Sequence, residues 1–118
     1  MENLDKEKIE KIIKNRKIGH AFYSKKSEVY QKFCEMEQCT YKDGHLSRLQ
    51  KELIAIGISV VSDCESCMEW HIKQAIDNEA SEEEIIEAIE VGIEMGGGPA
   101  TASARFAMNV LKFYAQSE

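Results

Sequence analysis

Two cysteines and a histidine stand close together in DCESCMEWH, residues 63–71: Cys64 and Cys67 are three apart, and His71 follows Cys67 by four. On a helix these spacings place all three side chains along one face over about two turns. A thiol at a helix N-terminus feels the partial positive charge of unpaired N–H groups, which favours the thiolate, the species that attacks peroxides and disulfides. The second sulfur can then close a disulfide on the first after its oxidation. An imidazole one turn beyond titrates near neutrality and can take or return the thiol proton. Glu52, twelve residues before Cys64, is the carboxylate that could orient the ring and complete a relay. From position alone the simpler reading is a solvated carboxylate in the first turn of its helix.

Other readings of the same residues stay open. Cys, Cys and His are all zinc ligands and CxxC is a familiar half-site, but structural zinc wants four ligands. Cys34, Cys39, His20 and His45 form no second pair at matched spacing, so no metal and no organic cofactor is expected. Cys34 and Cys39, five apart, are read as small, semi-buried hydrophobes. His71 could be a satisfied core histidine, and Met68 and Trp70 are most simply core residues. Asp63 and Glu65 suit a helix cap and its dipole.

The elements that must carry these residues read as helices, because period-two alternation is absent and Pro99 is the sole proline. A first helix is expected over about Asp5–Asn15, with Ile9, Ile12 and Ile13 on one stripe, and a second over about Ile18–Glu37, with Phe22, Val29, Phe33 and Met36 as its apolar residues. A third, about Ser47–Val61, is apolar on every side after Glu52, so it belongs at the centre of the fold or in a subunit interface. Ser62 or Asp63 is expected to cap the fourth, which places the CxxC in its first turns. Ser81 with Glu84 forms a capping box for the fifth. Gly96, Gly97 and Gly98 stop that helix, Pro99 suits the first turn of the last, and no strand precedes them to make a phosphate loop. The small residues of ATASARFAMNVLKFYA predict close packing on the third helix or on another subunit.

At 118 residues, with 43% hydrophobic and 31% charged residues, the chain is sized and composed for one all-α domain over residues 1–118. Runs without a charge reach only ten residues, as in Leu53–Ser62, against the roughly 20 of a membrane span, so no membrane role is expected. The net charge of −6 disfavours nucleic acid, and the basic run Lys25–Lys32 reads as a solvated helix face. The charged N-terminus MENLDKEKIEKIIKNRK lacks an apolar segment of the secretory kind, and a cytosolic location is expected. In that reducing compartment, cysteines serve redox or metal chemistry more often than structural bridges.

Glu52, eleven residues, CxxC, three residues and His71, in KELIAIGISVVSDCESCMEWH, resemble the signature of the carboxymuconolactone decarboxylase and AhpD-like superfamily. SEEEIIEAIEVGIEMGGGP, residues 81–99, and the small-residue final helix also look like that superfamily, so the resemblance covers about residues 46–114, with N-terminal helices at about 5–38. It implies an all-α fold of about six helices that assembles as trimers or hexamers. It implies that Cys67 matches the cysteine oxidised to sulfenic acid, Cys64 its disulfide partner, and His71 and Glu52 the proton relay. Helix-dipole reasoning instead favours Cys64 as the more acidic thiol. The CxxC points to the redox branch, a thiol-dependent peroxidase or disulfide reductase that takes a hydroperoxide or disulfide and is restored by a dithiol or redox protein. A decarboxylase-type lactone enzyme working through His71 and Glu52, and a zinc-binding or structural assembly protein, are the alternatives.

Overall fold

The structure, a computed structural model, describes residues 2–116. Six helices follow in order: α1 Lys6–Lys26, α2 Glu28–Thr40, α3 Arg48–Val61, α4 Glu65–Asp77, α5 Glu82–Gly96 and α6 Gly98–Gln116. No strand occurs among the described residues, so the fold is all-α as the sequence predicts. No helix among them is long and apolar enough to cross a membrane.

Helices α3 to α6 form the core. Ile56 and Val60 of α3, Met68, Ile72 and Ala75 of α4, Ile85 and Ile89 of α5, and Ala107 and Val110 of α6 are wholly excluded from solvent, together with Ile9 of α1. The predicted capping box of Ser81 with Glu84 opens α5, and a second one, Ser47 with Gln50, opens α3 at its expected start. Helix α6 approaches its neighbours through Ala100, Ser103, Ala104 and Ala107, all buried. It rests chiefly on α5 and α4 and also touches α3, one of the two expected neighbours. Helix α5 occupies the close side of α3.

That close side is made by two glycines. A Cβ on Gly92 would lie 2.8 Å from the carbonyl oxygen of Gly57 and 2.8 Å from Cβ of Val60, so here α5 meets the backbone of α3 directly. Gly97, at φ 74°, then closes α5 by donating its N–H to the carbonyl of Ile93.

The N-terminal boundary falls elsewhere than predicted. Helix α1 runs straight through Arg16 and Lys17, where the sequence offers no cap and two good helix formers, and ends at Lys26. Ser27 is the break: its backbone is extended, its hydroxyl accepts the N–H of Tyr30, and Glu28 opens α2. The pair forms a hairpin joined by the Tyr23 and Tyr30 rings, stacked at 5.2 Å, and by a 2.7 Å hydrogen bond between His20 and Tyr30. No residue of α2 is buried, and the apolar residues Phe22, Val29, Phe33 and Met36 are all more than half exposed.

Because the α3–α5 contact has no room for a methyl group, G92A is expected to cost about 1–3 kcal/mol through overpacking. Thermal unfolding followed by circular dichroism measures the cost, and a melting temperature equal to that of the parent chain would contradict the close approach.

Candidate active site

The turn between α3 and α4 is three residues long, and it sets the position of the cysteines. Ser62 ends α3, Asp63 takes a left-handed conformation at φ 52°, and Cys64, not Ser62 or Asp63 as predicted, is the N-cap of α4. The cysteine can do this because its sulfur stands where a cap oxygen would, accepting the N–H of Cys67 at 3.2 Å. Asp63 turns away and accepts a 2.7 Å hydrogen bond from the Ser103 hydroxyl of α6, which pins the turn. The Cys64 N–H donates back to the carbonyl of Ser59 at 3.0 Å. Glu65 sits in the first turn of α4, as expected for a dipole partner, and ion-pairs with Lys8 at the surface.

Cys64 and Cys67 are joined by a disulfide, with their Cα atoms 5.2 Å apart. One turn further along α4, His71 presents Nδ1 to Oε1 of Glu52 at 2.7 Å. The structure therefore brings the four predicted residues together as two bonded pairs, with Cys67 and His71 in register on α4. Glu52 is not a solvated first-turn group: it is 1% exposed, and His71 keeps only 12% of its side-chain surface.

Three further residues complete the surroundings, and the sequence reading singled out none of them for this site. Arg48, one turn before Glu52 on α3, places Nε 3.5 Å from Oε2 of Glu52 and donates from a terminal nitrogen to Oε1 of Gln74 at 2.8 Å. The i, i+4 spacing of Arg48 and Glu52 was the available signal. Tyr41, just past α2, lays its ring 5.3 Å from that of His71. Burial, and then the negative charges of Glu52 and Glu37, raise the Tyr41 phenol above its ordinary value, so it stays protonated.

Beside Glu52 opens a cavity of about 940 Å³ between the α1–α2 hairpin and the α3–α4 pair. Tyr41, Arg48, Glu52 and Trp70 line one side of it, and Phe33 and Cys34 of α2 the other. Cys34 is half-buried, as read from the sequence, whereas Cys39 is exposed; neither is in a disulfide. Among the described residues no group of three or more His, Cys, Asp and Glu side chains is arranged to hold a metal ion.

Glu69 is a second buried carboxylate that the sequence reading passed over. Wholly excluded from solvent, it is held by the Arg16 guanidinium and the Tyr114 hydroxyl. Arg16 also lies over the ring of Trp70 at 4.8 Å. These contacts tie α1 and α6 to α4 on the helix that carries the cysteines. Met68 is core, as expected, while Trp70 is only half-buried and faces the cavity.

The fold and the site together define an all-helical protein with a CxxC at a helix start and a buried Glu–His pair beside it. The chain belongs to the carboxymuconolactone decarboxylase family, whose model matches residues 27–109, a stretch that begins earlier than the expected core at about residue 46. It is 37% identical over 73 residues to an uncharacterized protein of Cupriavidus necator, covering 62% of each chain. It is 39% identical over 79 residues to uncharacterized protein 4 in the cox locus of Paracoccus denitrificans, covering 67% of this chain and 71% of that one. The solved structure of a family protein from Legionella pneumophila matches at a TM-score of 0.80 and 30% identity, over 90% of this chain and 96% of that one. A family protein from Thermotoga maritima, for which a part in the antioxidative response has been suggested, matches at 0.82 and 25% identity, over 90% and 91%.

The raised Tyr41 phenol has a stability consequence. Its folded value lies above its unfolded one, so the contribution of burying the protonated ring is present below the unfolded value and is lost as pH climbs through the folded one. Phenolate absorbance, read as the difference between the parent chain and Y41F, should show Tyr41 ionising later than a free tyrosine. In E52Q the same difference should move to lower pH; an unchanged titration would remove Glu52 as a cause.

Proposed function

We propose that this chain is a thiol-dependent oxidoreductase that reduces a hydroperoxide or a disulfide with the Cys64–Cys67 pair. The observation that carries the reading is the disulfide at the start of α4 with the buried Glu52–His71 pair one turn beyond it. Membership of a family that includes redox enzymes, and the suggested antioxidative role of the Thermotoga protein, support the same class.

In the peroxidase form, His71 takes the Cys67 proton, and the Cys67 thiolate attacks the distal oxygen of the hydroperoxide. The S–O bond forms, the O–O bond breaks, and the leaving alkoxide receives the proton to depart as alcohol. Cys64 then attacks the sulfenic acid, releasing water and forming the Cys64–Cys67 disulfide; an external dithiol reduces it and leaves as its own disulfide. The amide hydrogen bond from Cys67 N–H to the Cys64 sulfur favours negative charge on Cys64, which suits that sulfur as the leaving thiolate when a donor attacks Cys67. A disulfide substrate follows the same course through a mixed disulfide. No metal or organic cofactor enters these steps, and a reducing compartment such as the cytosol would keep the dithiol available.

The chain works as a homo-oligomer in this reading. Ile54, Ile58 and Val61 of α3 and Val91 and Met95 of α5 are each about half to two-thirds exposed around an apolar groove of about 690 Å³. Apolar surface of this kind on a small protein marks a contact site. Together with the apolar run read in α3, it supports a second copy as the occupant.

Two measurements check the proposal. Reduced protein should lose two thiols per chain on addition of a hydroperoxide or a small disulfide, and C64S with C67S should abolish that turnover; unchanged thiols, or full activity of the double variant, would instead favour a decarboxylase-type proton-transfer enzyme. In sedimentation, I58E should shift the assembly toward monomer, and an unaltered particle size would place the interface elsewhere.

A further inference from the structure

A carboxylate as deeply buried as Glu52, 1% exposed, is stable as an anion only with hydrogen-bonded, cationic company. Two groups reach its oxygens: His71 Nδ1 at 2.7 Å from Oε1 and Arg48 Nε at 3.5 Å from Oε2. Either can supply the countercharge, but the two assignments have opposite chemical consequences. Guanidinium is cationic at every working pH, whereas imidazole supplies the charge only by holding its second proton. A doubly protonated His71 has no lone pair left for a thiol proton.

We propose that Arg48 is a positioning residue of this site: as the permanent counter-ion of Glu52 it leaves His71 neutral, with its Nδ1 proton on Glu52 and Nε2 open as the proton acceptor. The inference rests on the redox reading above, in which His71 must accept the Cys67 proton. The geometry supports it at both ends of the guanidinium. Arg48 stands one turn before Glu52 on α3, and its backbone N–H donates to Oδ1 of Asp43 at 2.7 Å. Its terminal nitrogen donates to Gln74 at 2.8 Å, three residues past His71 on α4. So the guanidinium bridges the two helices on the Oε2 side and leaves Oε1 to the imidazole.

The 3.5 Å pair is partly exposed, with 43% of the Arg48 side chain open, and as a surface ion pair it would contribute little to stability. Its importance comes from where Glu52 lies. The groups facing the imidazole are Glu52 from α3, Tyr41 from the turn after α2, and Cys67 at the preceding turn of α4. Tyr41 stays uncharged, and of the cations lining the cavity among the described residues, Arg16 is paired with Glu69, Lys17 and Lys42 form no ion pair with Glu52, and its Oε2 is reached by Arg48. Remove it, and the buried carboxylate draws its countercharge from His71.

Nitrogen-15 correlation spectra of the histidine rings, with His71 assigned by its loss in H71N, test this without any substrate. In the parent chain His71 is expected as the neutral tautomer protonated on Nδ1 at pH 7. In R48Q and in R48M, which keeps the apolar stem, the doubly protonated ring signature should persist to higher pH than in the parent chain. The acid limb of the thiol-oxidation rate should move with it, and R48K should restore at least half of the shift because the ammonium returns the charge without the bridge. Midpoints in R48Q and R48M equal to that of the parent, or R48K indistinguishable from R48Q, would overturn the role of Arg48. Unreactive thiols in a parent chain whose His71 still responds to Arg48 would overturn the redox function alone.

Discussion

The hydrogen bond between the Glu52 carboxylate and the His71 ring is the constraint around which this fold is arranged. Glu52 lies on a helix that is otherwise nearly all apolar from Leu53 onward, and it is buried to 1% exposure. A buried carboxylate without partners would cost several kcal/mol, so α4 must present its histidine and α3 its arginine at fixed distances. The three-residue turn from Ser62 to Cys64 enforces that register, and the same turn makes Cys64 the first residue of the helix end. Stability and placement of the sulfurs are thus decided by one local geometry.

The remaining elements hold α3 and α4 in this arrangement. On the far side of α3, Gly57 and Gly92 let α5 come into backbone contact. On α4, Ser103 of α6 holds the turn through Asp63, while Arg16 and Tyr114 fix the buried Glu69 two residues past Cys67. Helix α1 enters the core through Ile9, and the remainder of the α1–α2 hairpin forms the outer wall of the cavity beside Glu52. Aromatic and aliphatic side chains of the hairpin and of the α3–α5 groove stay exposed on the chain.

Much of this was legible in the sequence where the signal was local. The capping box at Ser81, the glycine stop after α5 and the helical face shared by Cys67 and His71, with Cys64 at its start, follow from spacing alone. Glu52 does meet His71, but its burial depends on α4 packing over it, a contact nineteen residues away that no periodicity encodes. The hairpin was misdivided because Arg16 and Lys17 are charged, which resembles a boundary, while the true cap, Ser27, sits inside a basic run that reads as solvent-facing helix. Cys64 as its own cap was missed because a sulfur is rarely ranked with Ser, Asp and Asn for that role. Arg48, Tyr41 and Gln74 reach the site from outside the motif.

If the Glu52–His71 pair activates the thiols, as proposed above, oxidation of the reduced dithiol must depend on the Glu52 carboxylate. The most direct measurement is the pH dependence of the second-order rate at which reduced protein is oxidised by a hydroperoxide, in the parent chain and in E52Q. E52Q is expected to be slower by about tenfold or more at neutral pH, because His71 loses the carboxylate that orients it, and the gap should close at alkaline pH, where the thiol ionises without help. Equal rates for the two proteins across the whole range would contradict it.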